Sequence, residues 1–466
     1  MSLKYSNINL NEVRFLKFFN LLFDKSIVDC CQNKKDSNSA KFYRASCDGV
    51  ILIKGKVNGH TVGVIYNDFR IKGGSFSHQS SKKIISFLEE AILEGTPIVF
   101  FLNTLGVRFT EGRTIFKDAF SILPTLKRFT ESNLLITCIL GRCLGIGAII
   151  YRFGHYRLGV KEKGYLNLTG SEVINLFFGG KIDFEKIASL ENKIKKTDLV
   201  HEIVAKREDI LKKVKILLNF YFYPDQKKIS LFEDCVERQD IATNKYERKC
   251  LFFLKQIGTI YIEVFQQFSS IVKTFIVIRE DNIIGVFSNI PGRPDNMIDV
   301  QAVQKYSAAL ALFKAMKLPV ISFIDTPGAD PRSEFQGFDI IGAMFSVTQQ
   351  IIEYPYEMMG ISVGRCYGGA SIFGFPFIFG QNKKGVAIKG SKVGIMDEKI
   401  ISHIVSGSPK LASEWKKSLV KQTSDLRDLI DCGLVEDVID ENEIGSCVDN
   451  LLLNVRGTKK SPYKHC

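Results

Sequence analysis

The feature that most constrains this chain is an internal repeat. The segment GRCLGIGA at 141–148 recurs as GRCYGGAS at 364–371. The match continues upstream, where TVGVIYN at 61–67 corresponds to IIGVFSN at 283–289, and TPIVFFLNTLGV at 96–107 corresponds to LPVISFIDTPGA at 318–329. All three pairs keep an offset of 222 or 223 residues, which is hard to ascribe to chance. The chain is therefore a tandem duplication.

Each copy alternates short apolar runs with helical stretches. The runs GVIY, PIVFFLN and LLITCILG, like their second-copy counterparts GVFS, PVISFID and MMGISVG, are β-branched or aromatic with little alternation, as strands buried on both faces are. Residues 81–95 and 299–317 lie between the first two strands of each copy and predict long helices. This alternation predicts α/β domains built on crossovers.

The stretch between the two copies sets the predicted domain boundary. Residues 219–249 are polar and lack clear periodicity, so we read them as a connection with the boundary near residue 225. The prediction is one domain at 1–225, which opens with a short amphipathic helix, and a second domain at 226–466.

Composition and charge limit the classes of function. The chain carries 63 Lys and Arg against 50 Asp and Glu, a net charge of +13, but the lysines are spread out and no nucleic-acid-binding motif accompanies them. We expect no nucleic-acid partner. The positive electrostatic field of such a chain favours a polyanionic small ligand. The 11 cysteines lack CxxC spacing and the six histidines lack ligand spacing, so we expect no metal site. No uncharged apolar run is long enough to cross a bilayer, and we expect a soluble, cytoplasmic protein.

The chemistry of such a repeat is expected where strands end and helices begin. Gly145, Ile146 and Gly147 follow an apolar run and predict a helix start, whose first backbone amides have no helical acceptor. Two amides aimed at a developing enolate or tetrahedral oxygen form an oxyanion hole, and the loops around Gly106 and Gly328 are the expected source of a second donor. The alternative is that these glycines serve only close packing of helix on strand.

Six motifs, in order, resemble the carboxyltransferase (beta) subunits of biotin-dependent acyl-CoA carboxylases and the related acyl-CoA and malonate decarboxylases. In the first copy they are YNDFRIKGGSF, NTLGVRFTEG and GRCLGIGA, which are similar to the family's Q-D-F-T-x-x-G-G-S, N-D-S-G-G-A-R-x-x-E-G and G-P-C-A-G-G-A. In the second they are SNIPGRPDNMID, FIDTPGADPRSEFQG and GRCYGGAS, similar to A-N-Q-P-x-x-x-x-G-x-L-D, D-x-P-G-F-x-P-G-x-x-Q-E-x-x-G and K-A-Y-G-G-A-Y. The resemblance implies two crotonase-like domains of the β-β-α superhelix type in tandem.

The resemblance also implies roles for individual residues. The backbone amides of Gly145 and Ile146 would hold the thioester oxygen of a short acyl-CoA, and those of Gly369 and Ala370 would hold the ureido oxygen of biotin. The other implied substrate-binding residues lie on the same loops: Gly73, Gly74, Ser75, Gly106, Gly328, Gly368 and Ile372.

The implied reaction moves a carboxyl group from carboxybiotin, on a separate carrier protein, to the alpha carbon of the acyl-CoA, with no metal in this subunit. The implied partners are a biotin carboxylase, a biotin carboxyl carrier subunit and further copies of this chain. Those copies would form a dimer or a trimer of dimers with active sites between subunits.

Three departures from the family motifs keep other functions open. Ile146 and Leu105 replace glycines of the first copy, and Ile372 replaces a common aspartate. A second hypothesis keeps the fold but makes the protein a decarboxylase, or a carboxylase of an unusual thioester. A third, from a different class, is a noncatalytic scaffold or regulator that has lost the first oxyanion hole to the bulk of Ile146 and Leu105.

Overall fold

The protein folds into two compact units, Met1–Leu231 and Phe232–Cys466. The computed structural model describes residues 18–24, 42–43, 48–180, 182–226, 232, 244–269, 271–422, 427–431 and 433–458. Apart from residues 18–24, the amphipathic helix predicted at the start of the chain lies outside these described residues. Each unit contains one eight-stranded mixed sheet.

The first unit's strands run in the order β1-β2-β3-β4-β5-β6-β8, with β7 beside β5. The first three strands pair antiparallel, and from β3 onward the pairs are parallel, which requires crossover connections. The strands are β1 (Phe42–Tyr43), β2 (Val50–Val57), β3 (His60–Asn67), β4 (Ile98–Thr104), β5 (Leu135–Leu144), β6 (Tyr156–Val160), β7 (Tyr165–Asn167) and β8 (Glu202–Val204).

Helices connect these strands as the alternating pattern predicts. The longest crossover helix is capped at its N-terminus by Ser77, whose side chain accepts from the amide of Ser80, and at its C-terminus by Gly95, where φ is 65°. The helices are α1 (His78–Glu94), α2 (Ile115–Phe120), α3 (Ile122–Ser132), α4 (Ile146–Arg152), α5 (Ser171–Phe178), α6 (Phe184–Ala188), α7 (Leu190–Lys196) and α8 (Arg207–Gln226).

The second unit repeats the same arrangement. Its sheet order is β16-β14-β13-β12-β11-β10-β9, with β15 beside β13. The strands are β9 (Ile260–Val264), β10 (Val272–Arg279), β11 (Asn282–Asn289), β12 (Val320–Thr326), β13 (Met358–Tyr367), β14 (Lys383–Ile388), β15 (Lys392–Gly394) and β16 (Asp437–Ile439). The helices are α9 (Lys245–Ile257), α10 (Val300–Ala315), α11 (Pro331–Phe335), α12 (Ile340–Ile352), α13 (Glu398–Val405), α14 (Pro409–Gln422), α15 (Arg427–Asp431) and α16 (Ile444–Thr458).

Each unit has its own apolar core, because the central strands are covered by helices. Every residue of β4 and of β12 is buried. In the first unit the apolar face of α1, including Ile84, Phe87 and Leu88, joins the same cluster as the sheet residues. Burying such a side chain stabilises the fold by about 1.5–3 kcal/mol relative to leaving it exposed.

The connection between the copies is more ordered than its polarity suggested. The structure continues α8 through Asn219 to Gln226, so the predicted boundary at 225 falls in the last turn of a helix. Phe220 and Tyr223 are buried, and the ring of Phe222 stacks on His60. Aromatic burial against the first unit offsets the weak helical pattern. In the described part of the chain, no helix has both the length and the apolar character to cross a membrane.

Candidate active site

The two GRC segments occupy equivalent places at the carboxyl ends of β5 and β13. Each strand ends one residue before a glycine with positive φ, Gly145 at 58° and Gly368 at 62°. A side chain is strained in this region, so glycine is required for the sharp turn from strand into helix. The turn places the first amides of α4, and of the 3₁₀ helix Gly368–Phe373, at the edge of each sheet.

A β-bulge in the neighbouring strand explains the Gly-Arg pair of each segment. The register shifts between Leu102 and Thr104 in β4, so Asn103 turns its side chain toward β5. Its Oδ1 accepts from the amide of Arg142 at 3.0 Å. A Cβ on Gly141 would lie 2.3 Å from that Oδ1, so only glycine leaves room for the side chain at the bulge.

The second copy builds the same bulge around an aspartate. Asp325 Oδ1 accepts from the amide of Arg365 at 2.9 Å, and a Cβ on Gly364 would lie 2.5 Å from its Cγ. The cysteine of each segment, Cys143 or Cys366, is fully buried, and burial raises the pKa of both thiols. The thiolate is the nucleophilic form, so neither cysteine is a candidate nucleophile.

In the first cluster, the open amides are those of Ile146 and Gly147. The prediction named Gly145 and Ile146, but the Gly145 amide donates to the carbonyl of Leu168 at 3.1 Å. Because β7 pairs with β5, it brings that carbonyl against the turn. Within the described residues, the amides of Ile146 and Gly147 have no acceptor, as expected for the first positions of a helix. The open amides thus begin one residue after the pair that the sequence prediction named.

The bulk of Ile146 does not lie at the mouth of this cluster. Its side chain is 4% exposed and joins the core cluster that contains Cys143 and Ile150. Gly147 packs tightly against β4, since a Cβ there would lie 2.5 Å from Thr104 Cγ2. Gly147 therefore fits both alternatives drawn from the sequence, the oxyanion hole and close helix packing, because it presents an open amide and also allows close packing.

The second cluster presents the amides of Gly368, Gly369 and Ala370. They begin a 3₁₀ helix and have no acceptor within the described part of the chain. No atom lies within 4 Å of the position that a Cβ on Gly369 would take. Ala370 is buried and Ile372 is half-buried. By the repeat offset, Ile146 and Gly147 correspond to Gly369 and Ala370, so the open pairs of the two copies are equivalent.

The loops of Gly106 and Gly328 shape the clusters and use their own amides elsewhere. Each amide donates to a threonine hydroxyl, Thr104 at 3.0 Å and Thr326 at 3.2 Å, so the second donors expected from these two glycines are already paired. A Cβ on Gly106 would lie 3.2 Å from the Leu144 carbonyl oxygen. These glycines allow the two strand ends to approach each other closely.

The predicted Gly73-Gly74-Ser75 loop lies against the same edge of the first sheet. A Cβ on Gly74 would lie 2.1 Å from the carbonyl oxygen of Asn103, so this position also requires glycine. Leu105, which the sequence places near the cluster, covers Gly73: its Cδ1 would lie 2.6 Å from a Cβ there. The Leu105 amide donates to the Gly73 carbonyl at 3.0 Å. The structure therefore joins these loops by backbone contacts.

A buried arginine that the sequence did not single out holds these loops together. Arg108 Nη2 donates to the carbonyls of Asp48 at 2.7 Å and Ser75 at 3.0 Å, and Nε donates to Ser75 Oγ at 3.1 Å. Its Nη1 lies 3.4 Å from Glu111 Oε1. The sequence did contain a signal for this contact, because the arginine and the glutamate of NTLGVRFTEG both occur in the family motif.

Titratable groups contribute little to the clusters themselves. Across the described residues, no group of three or more His, Cys, Asp or Glu side chains is placed to hold a metal ion. His201 is buried and His155 is half-buried in the first unit, and desolvation lowers the pKa of both. The two clusters present backbone donors at helix starts, and donors of this kind stabilise negative charge on an oxygen.

A family model named the carboxyl transferase domain matches residues 22–446. The chain belongs to this family. Its curated relatives include the propionyl-CoA carboxylase beta chain of Roseobacter denitrificans, 22% identical over 339 residues that cover 70% of this chain and 66% of the relative. The propionyl-CoA carboxylase carboxyltransferase subunit of Haloferax mediterranei is 22% identical, with 69% and 65% covered. The matched region is thus just under two thirds of the length of these relatives.

Solved structures share this fold. Transcarboxylase 12S, in a crystal structure with hydrolysed methylmalonyl-coenzyme A bound, aligns with a TM-score of 0.77 at 18% identity, over 98% of this chain and 93% of that one. A single-chain, multi-domain long-chain acyl-CoA carboxylase aligns with a TM-score of 0.66 at 16% identity, over 96% and 49%. The predicted tandem crotonase-like fold is confirmed.

Proposed function

We propose that this protein is the carboxyltransferase subunit of a biotin-dependent acyl-CoA carboxylase. The observation that carries the proposal is the equivalence of two open amide pairs, Ile146–Gly147 and Gly369–Ala370, at the same point of two duplicated sheets. Each pair suits one carbonyl-type oxygen that gains negative charge. Transfer of a carboxyl group between two such carbonyl compounds needs two sites of this kind.

The first cluster is proposed to hold the thioester oxygen of the acyl-CoA. The amides of Ile146 and Gly147 would donate to this oxygen and stabilise the negative charge that develops on it as the enolate forms, which would lower the barrier to loss of the alpha proton. The Ile146 side chain lies in the core, which supports a working cluster over the noncatalytic alternative. Losing one such donor typically costs about 3–4 kcal/mol of barrier.

The second cluster is proposed to hold the ureido oxygen of biotin. The open space in front of Gly369 and the open amides of Gly369 and Ala370 fit a ring carbonyl that must approach closely. When bound, carboxybiotin on its carrier protein supplies the CO2. The residues of this chain would orient the ureido oxygen and stabilise its charge. Biotin carboxylase and the carrier are the implied partners.

Self-association is proposed as part of the same function. Each unit has large apolar side chains in solvent just after its glycine loop: Phe109 at 87% exposure follows Gly106 in the first unit, and Phe335 at 94%, with Phe338 and Ile341, follows Gly328 in the second. Exposed large apolar side chains beside a site are typical of a protein interface. Another copy of this chain is the expected occupant. Phe335→Asp should shift the mass measured by light scattering toward the protomer.

The test uses the reverse reaction, which needs no partner subunit. The purified chain is incubated with malonyl-CoA or methylmalonyl-CoA and free biotin, and CO2 release is measured against time. Biotin-dependent release supports a carboxyltransferase, whereas release that does not respond to biotin supports the decarboxylase hypothesis. Absence of turnover across a panel of acyl-CoA substrates, with tight CoA binding or without it, would contradict both and favour a noncatalytic role.

A further inference from the structure

The arginines of the two GRC segments face different partners. Asp325 is 3% exposed, and its Oδ1 accepts from both the amide and the Nε of Arg365 at 2.9 Å. Its Oδ2 accepts from the amide of Gly292. The guanidinium makes a further hydrogen bond through Nη2, which donates to the carbonyl of Arg293 at 2.7 Å. The positive charge of the second-copy arginine is therefore neutralised within the fold.

The first copy replaces this acid by an amide. Asn103 stands where Asp325 stands, keeps the bond to the Arg142 amide at 3.0 Å and carries no charge. Among the described residues, no carboxylate lies within 4.0 Å of the Arg142 guanidinium, although the residue is half-buried. The change from a carboxylate to an amide at the bulge thus separates the neutralised Arg365 from Arg142, which has no carboxylate beside it in the described part of the chain.

Strand β7 lies beside β5 at Arg142. Arg142 pairs in register with Tyr165. Burial raises the pKa of Tyr165, as does the nearby Glu185, while the positive charge of Arg142 opposes these effects. A half-buried guanidinium without a carboxylate partner keeps its N–H donors available to an anionic ligand. Its planar set of donors matches a carboxylate or a phosphate.

The position of Arg142 relates it to the first cluster. It precedes Gly145 by three residues on the strand that leads into the open amides of Ile146 and Gly147. At about 3.3 Å per residue, Arg142 and Gly145 are about 10 Å apart along the strand, a separation that an extended arginine and a bound carboxylate can span together. The family motif has proline here, as the first copy's GRCLGIGA compares with G-P-C-A-G-G-A, so this cation is a feature of this chain.

We propose that Arg142 binds the anionic group of the ligand held at the first cluster, and that this group is the carboxylate of a carboxyacyl thioester. The inference rests on the proposed function and assigns a residue that selects the carboxylated ligand over its uncarboxylated counterpart. The phosphates of CoA are also oxyanions that an arginine can bind. They are present in both ligands, so a comparison of carboxylated with uncarboxylated thioester separates the two sources.

The test is calorimetric titration of the full chain with malonyl-CoA and with acetyl-CoA. Wild type should bind malonyl-CoA at least tenfold more tightly, because a hydrogen bond to a charged group is among the stronger ones. Arg142→Gln should remove this preference, and so should Asn103→Asp, which recreates the neutralised pair already present at Asp325 and Arg365. Arg365→Gln is the matched control and should leave the preference unchanged.

The outcomes separate this inference from the proposed function. Failure of the wild type to bind acetyl-CoA would contradict the proposed function itself. If acetyl-CoA binds and the preference for malonyl-CoA survives in both first-copy variants, Arg142 does not read the carboxylate and the inference is overturned. An equal loss for both thioesters in Arg142→Gln would assign the arginine to a CoA phosphate and would also overturn the carboxylate assignment. Circular dichroism of each variant checks that the fold is retained.

Discussion

Valine at position 369 is the sharpest test of the second cluster, because the structure leaves room for the side chain. The backbone of Gly369 is outside the positive-φ region, and no atom lies within 4 Å of the Cβ position. Gly369→Val therefore adds three carbons into open space without strain. Its effect on the free energy of unfolding should be within about 0.5 kcal/mol, the usual range for a surface substitution away from special features.

The same side chain should be severe for turnover. It would stand in the space through which a ureido oxygen reaches the amides of Gly369 and Ala370. Loss of one oxyanion donor costs about 10²–10³ in kcat, and blocking access to a pair of donors should cost at least that much. The assay is biotin-dependent release of CO2 from malonyl-CoA, with urea unfolding measured on the same preparations.

Gly407→Val is the matched control. Gly407 also lacks a positive φ and has nothing within 4 Å of its Cβ position, but it lies between α13 and α14 in the second unit, outside the amide cluster. It should retain wild-type turnover and stability. Full turnover in Gly369→Val would remove the second cluster from the mechanism, and an equal loss in both variants would refute the reasoning from local access.

Three further predictions concern stability. Gly147→Ala should destabilise the fold by about 1–3 kcal/mol in thermal unfolding, because its Cβ would lie 2.5 Å from Thr104 Cγ2; an unchanged melting temperature would contradict this packing. Burial lowers the pKa of His155 to about 4, so stability should fall as pH drops from 6.5 toward 4, by about 2 kcal/mol at pH 5. His155→Gln should lack that part of the fall in urea unfolding, and an identical pH profile would count against it. Burial lowers the pKa of Lys305 to about 7, so its destabilising effect is complete below pH 7 and declines toward pH 10.5, at about 1.4 kcal/mol per pH unit. Lys305→Met should unfold at higher urea than wild type at pH 7 with a smaller gain at pH 9.5, and a constant gain would contradict the shift.

Much of the architecture was predictable because its signals are local. The repeat offset, the apolar runs of β4 and β12 and the helical stretch of α1 specify elements from neighbouring residues. Two copies with the same order of elements must form two sheets of the same topology. The connection at residues 219–226 was not predictable in this way, since its helix depends on aromatic side chains packing against the first unit.

The candidate site was likewise predictable only where its signals are local. The position of both GRC segments at strand ends, and the need for Gly145 and Gly368 there, followed from the motifs and their spacing. Which amides stay open did not, because the acceptor for Gly145 is the carbonyl of Leu168, 23 residues further along the chain. Only the pairing of β7 with β5 brings these two groups together.

By itself, the sequence determined a duplicated α/β protein of the carboxyl transferase family, with backbone donors expected at two strand ends. The tertiary structure decided that Ile146 turns its side chain into the core, and that Arg365 is neutralised by Asp325 while Arg142 faces the uncharged Asn103. The physical reason is that the rotation of α4 about its axis and the register between neighbouring strands set these contacts. The two strand contacts join residues about 40 positions apart, which a local sequence pattern does not relate.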